Sequence, residues 1–145
     1  MKSLFAFVLL FASISYGKVA CYKASNPQSI TIKTENGKSE KASGAQLVYQ
    51  DEKTVDSEGV ETPPHIKLRA QSKTLKFSTV AYQFENGGDF LVECDGGKTS
   101  LIKESSSLIL TSDYLAGEVN SADEGCSTGE VAYRNLTMTP APCAD

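Results

Sequence analysis

The sequence predicts an all-β fold, a small antiparallel β-barrel or β-sandwich of about nine or ten strands stapled by disulfides. Three observations carry this. Short apolar runs recur at roughly 8–12-residue spacing, the interval of strands joined by hairpins. Turn signals separate them: Glu35-Asn36-Gly37-Lys38, Asn86-Gly87-Gly88-Asp89 and Asp95-Gly96-Gly97-Lys98. Outside the first residues no helical period of useful length occurs. The stretch Tyr82 to Ile102 is the clearest, two such turns between three apolar runs, and predicts a three-strand meander with Cys94 at its middle.

Residues 1–17 run MKSLFAFVLLFASISYG, with Lys2, an apolar core from Leu4 to Ala12 and small residues at the exit. This is the pattern of a secretory signal peptide, and its core is shorter than the roughly 20 residues that span a bilayer. The organisation expected is a signal peptide over 1–17 and one all-β domain over 18–145, exported to a periplasmic or extracellular space. A lipoprotein alternative would cleave before Cys21 and acylate it, but Lys18 is misplaced for that recognition and three cysteines would remain.

Four cysteines, Cys21, Cys94, Cys126 and Cys143, in an exported chain point to two disulfides, and sequence alone leaves three pairings open. The pairing favoured is Cys94 with Cys126 and Cys21 with Cys143, the second tying the chain ends, where fraying concentrates. No C-x-x-C spacing suggests redox or zinc chemistry. The whole chain carries a net charge of −4, and a mildly acidic surface argues against nucleic acid or anionic membrane as partner.

Along the mature chain, Val19 to Ala24 is a short strand broken by Asn26-Pro27. Ser29 to Thr34 alternates and is a half-buried strand; its return, Ser39 to Gly44, is polar enough for an edge strand or loop. Ala45 to Gln50 is a strand. Asp51 to Gly59 is a charged loop, and Thr62-Pro63-Pro64 is an extended connector. Ile66, Leu68 and Ala70 alternate with Lys67 and Arg69, giving one dry face and one cationic face. In Leu75 to Phe84 the apolar phase shifts from Leu75 and Phe77 to Val80, Tyr82 and Phe84, which suggests a β-bulge or a sharp bend near Ser78-Thr79. Leu108 and Leu110 mark another strand, Tyr114 to Val119 one interrupted by Gly117, and Glu130 to Thr139 a last one with a phase change between Tyr133 and Leu136. Pro140 and Pro142 lead to Cys143.

Catalytic constellations are lacking. His65 is the single histidine and follows two prolines; no G-x-S-x-G elbow occurs, and the cysteines are claimed by pairing. Carboxylates gather at Asp51, Glu52, Asp56 and Glu58, and at Asp113, Glu118, Asp123 and Glu124, without the spacing of a calcium loop. Asn135-Leu136-Thr137 is a glycosylation sequon inside an expected strand. Tyr22, Tyr49, Tyr82, Tyr114 and Tyr133 are spread over five strands and would pack the core or line a cup.

Val92-Glu93-Cys94-Asp95-Gly96-Gly97 resembles the Cys-Asp-Gly-Gly opening of the MliC-type lysozyme inhibitors, which are small exported β-barrels. The likeness covers six residues, and the Ser-Gly-x-x-Tyr inhibitory motif of that family is missing here.

The function expected is an exported, non-catalytic binding or protein-interaction module without cofactor or metal, its partner a protein or small molecule. The loops around Asp51, Glu52, Asp56 and Glu58 and around Asp123 and Glu124 are the expected contact points, because exposed loops on a rigid scaffold carry recognition. Two alternatives compete: a carrier with a lipocalin-like apolar cup lined by tyrosine and phenylalanine, and a hydrolase using two facing carboxylates.

Overall fold

The computed structural model describes residues 19–120 and 128–143. The expected signal peptide, Asp123, Glu124 and Cys126 lie outside these. In chain order the strands are β1 (Val19–Ala24), β2 (Thr31–Thr34), β3 (Ser39–Lys41), β4 (Gly44–Gln50), β5 (Thr54–Val55), β6 (Glu61–Thr62), β7 (His65–Gln71), β8 (Lys76–Tyr82), β9 (Phe90–Val92), β10 (Lys98–Lys103), β11 (Leu108–Thr111), β12 (Leu115–Val119), β13 (Gly129–Ala132) and β14 (Asn135–Pro140). A 3-10 turn, Pro27–Ser29, sits between β1 and β2.

Eight strands close into an antiparallel barrel in the order β8-β7-β4-β1-β14-β11-β10-β9, with β9 returning to β8. Four more, β12-β13-β2-β3, extend from β8 as a flap. The fold is therefore a barrel, but the fourteen described strands exceed the nine or ten expected. The difference has a physical source. Strands β5 and β6 hold two residues each, too few to show a period of two, and the polar return over 39–44, left open between edge strand and loop, contains β3. The run Glu130 to Thr139 also divides into β13 and β14, one in the flap and one in the barrel, so the phase change there is a change of sheet.

Of the two expectations at Ser78-Thr79, the bulge does not occur against β7. β8 stays in register with β7 from Tyr82 opposite His65 to Lys76 opposite Gln71. Phe77 and Ala81 are buried, whereas Val80 and Tyr82 are half-buried and Phe84 is exposed. The apolar phase shifts because β8 forks: Phe77 and Ser78 pair with β12, while Ala81 and Tyr82 pair with β9. Gly117 permits this crossing, because a Cβ there would collide with the Ser78 carbonyl oxygen and lie 2.6 Å from the Phe77 ring.

The meander β8-β9-β10 forms, but Cys94 is not in a strand. It lies in the connection from β9 to β10. There Cys94 (φ 60°), Asp95 (φ 57°) and Gly97 (φ 94°) all take left-handed backbone. Glycine reaches that region without steric cost, so the two non-glycine residues carry the strain of the turn.

Eight-stranded barrels have interiors just wide enough for side chains, and this one is filled by them. Leu47, Leu68, Phe90, Leu108, Leu110, Leu136 and Met138 are all buried in one continuous core. The flap adds Ile30, Ile32 and Val131 to the same cluster. Tyr49 packs edge-on against Phe90, with ring centroids 6.0 Å apart. Tyr133 is buried and its hydroxyl lies 2.9 Å from Thr99 Oγ1. Burial pushes the Tyr133 phenol up to about 12, an effect only partly offset by that hydrogen bond.

Cys21 and Cys143 are disulfide-bonded, with Cα atoms 5.1 Å apart, which removes the Cys21 thiol from the acylation alternative. Cys94 is also disulfide-bonded. No helix among the described residues is long and apolar enough to cross a membrane.

Candidate functional site

Strand pairing aligns outward side chains into rows across the sheet. Lys23 on β1 lies opposite Gln46 on β4, Gln46 opposite Arg69 on β7, and Arg69 opposite Ser78 on β8. The next row is Gly44, Gln71 and Lys76. Period-two alternation sends Ile66, Leu68 and Ala70 inward, so the same rule must send Lys67 and Arg69 out.

Between these rows lies a furrow of about 830 Å³. It is lined by Lys23, Arg69 and Lys76, by Gln46, Gln71 and Asn120, and by small residues, Gly44, Ala45 and Ala70, the two alanines being part of the core. A Cβ at Gly44 would meet only the Gln71 side chain, at 3.5 Å. Asn120 is fixed in place, accepting from the Lys76 N–H at 2.8 Å and donating to the Thr74 carbonyl at 3.3 Å.

The chemistry of this lining is one-sided. Lysine and arginine donate and never accept, and amides add further donors. No carboxylate occurs among the described lining residues. The described ion pairs are Lys38–Glu40, Lys53–Glu61 and Lys98–Asp89, so Lys23, Lys67, Arg69 and Lys76 share none of them. All four are exposed. Such a site can hold negative charge and orient hydrogen-bond acceptors.

A second cleft of about 650 Å³ opens at the β8 fork, sharing Arg69 and Ser78 with the first. It adds Lys67 and Tyr82 on one side and Glu93 and Glu118 on the other, so its charge is mixed.

The described residues among those nominated from sequence for binding lie elsewhere. Asp51, Glu52, Asp56 and Glu58 belong to the excursion between β4 and β7, in which β5 and β6 pair only with each other as a short ribbon. Asp56 holds the ribbon's turn: its Oδ1 accepts from the N–H groups of Glu58 and Val60, both at 2.9 Å. Glu52 and Glu58 are exposed; Asp51 Oδ1 is buried and, like Gln50 Nε2, has no hydrogen-bond partner among the described residues. His65 stands at the ribbon's foot, Nδ1 3.0 Å from the Pro63 carbonyl and its ring 5.7 Å from that of Tyr82. Among the described residues no three of His, Cys, Asp and Glu gather as metal ligands would.

Sequence reasoning misses the furrow because its residues come from four strands and from connections such as the one after β12, which supplies Asn120. The one local signal is the alternation of Lys67 and Arg69 with buried neighbours. No protein-family model, curated protein or solved structure matches this chain.

Proposed function

We propose that this protein is an exported, non-catalytic binding module that takes an acidic partner in the furrow formed by β1, β4, β7 and β8. The observation that carries the reading is the furrow's lining: three cations, three amides and no described carboxylate. In a chain with 18 acidic against 14 basic residues, that concentration of donors on one face runs against the overall composition. Cationic clefts with low-dielectric walls focus field and draw in anions. The disulfides support an oxidising destination. The side-chain-filled barrel supports a scaffold role rather than a carrier's cup.

Calorimetric titration with poly-glutamate, a simple acidic-peptide probe, tests this. Wild type should bind with an affinity that falls as salt rises, and R69E/K76E should lose the binding. Equal affinity of the two proteins would sink the proposal.

A further inference from the structure

We propose that the acidic partner is a second copy of this chain, whose β5–β6 ribbon enters the furrow. The inference rests on the reading of the furrow as a site for an acidic partner, and identifies its occupant.

The ribbon has the complementary chemistry. Residues 51–62 hold five carboxylates, Asp51, Glu52, Asp56, Glu58 and Glu61, against one lysine, Lys53. Lys53 is taken by Glu61 at 3.6 Å. At the ribbon's turn, Val55 and Val60 are each 56% exposed. A two-stranded ribbon alone is marginal in water, and this one pairs with no other described strand. It therefore presents apolar surface at its tip and negative charge along its length. The furrow presents small residues and three cations, Lys23, Arg69 and Lys76.

Geometry decides between self and neighbour. The furrow lies at the Gly44 and Gln71 end of the β4–β7 pair, and the ribbon continues from the Gln50 and His65 end. Four steps of β4, from Gln46 to Gln50, lie between them, roughly 13 Å at a rise of about 3.3 Å per residue. In this structure each ribbon therefore stands at the opposite end of the strand pair from its own furrow, open to a neighbouring copy. Donor and acceptor at opposite ends of one hairpin make a heterologous contact, which repeats head to tail into open chains or rings.

Sedimentation of the full mature chain across concentration and salt tests the inference. Wild type should form species larger than a dimer, lost at high salt. E52K/E58K, which spoils the ribbon, and R69E/K76E, which spoils the furrow, should each sediment as a monomer. Mixed, they should form a dimer and nothing larger, since one supplies only a furrow and the other only a ribbon. Wild type that stays monomeric up to its solubility limit overturns the proposal, as does a mixture that stays monomeric while wild type assembles. The poly-glutamate titration separates the two levels. Furrow-dependent binding by a monomeric wild type leaves the acidic-partner reading standing and removes only the second copy.

Discussion

Glu40 and Thr74 are joined twice: Thr74 N–H donates to Oε1 at 3.1 Å and Thr74 Oγ1 donates to Oε2 at 2.7 Å. Ser72 Oγ adds a third bond to Oε1 at 2.5 Å. Glu40 is on β3, the outer edge of the flap, and Thr74 is in the turn between β7 and β8. One carboxylate therefore latches the flap to the barrel's end.

The latch makes the flap acid-sensitive. Hydrogen bonds from Ser72, and then Thr74, hold the Glu40 carboxyl down at about 2, against an ordinary value of 4.5. A depressed folded-state value means stability that is fully present above pH 4.5 and lost as pH falls towards 2. E40Q should melt lower than wild type at neutral pH, and the gap should close through that window. A gap that does not change with pH would show that the latch owes nothing to ionisation.

The Cys21–Cys143 bridge spans 122 residues. Closing so long a loop restricts the unfolded chain, and C21S/C143S should lose about 2–4 kcal/mol in chemical denaturation. An unchanged midpoint would mean that the β1–β14 pairing holds the ends unaided.

Thr99 Oγ1 donates to the Thr111 carbonyl at 3.1 Å, which leaves Tyr133 to donate to Thr99. Y133F should destabilise by about 1 kcal/mol, the net worth of one hydrogen bond. In phenol titration by absorbance, one tyrosine of the folded wild type should resist ionisation until about pH 12, and Y133F should lack that component. A wild-type curve in which every phenol ionises earlier would contradict the burial of this ring.

Two glycines should respond oppositely to alanine. G117A drives a methyl into the Ser78 carbonyl and the Phe77 ring. Such overpacking should cost about 1–3 kcal/mol. G44A meets only ordinary contacts and should leave the melting temperature within a few degrees of wild type, while adding a methyl to the furrow lining and weakening poly-glutamate binding. If G44A binds as wild type does, the furrow at Gly44 is not where the probe lies.

How much of this was legible depended on how local the determining contacts are. Strand β7 announced itself, because Ile66, Leu68 and Ala70 are buried and the alternation lies within one strand. The corner at Tyr133-Arg134 was legible too, since a shift of phase is local even when its cause is a change of sheet. Strand β8 misled for the same reason. Val80, Tyr82 and Phe84 look like a core face, yet they face outward where β9 and β12 divide, and that division depends on pairings far along the chain. The furrow was the least legible part. Lys23, Gln46, Arg69 and Lys76 become neighbours only through three registers, and no one of them is unusual for its strand.

The disulfide between β1 and the segment after β14 also bears on the order in which the chain is strung. Tyr22 lies opposite Pro140, so the first and last strands of the barrel are ladder neighbours. A short peptide could replace the bridge, with new termini cut at Gly87, where φ is +79° and nothing stands within 4 Å of a Cβ. Such a circular permutant would keep every strand pair, yet turn the pairing of greatest sequence separation into a simple hairpin. The cut in turn makes β8–β9 the pairing of greatest sequence separation, so the permutant should reach the same barrel with the order of strand pairing rearranged.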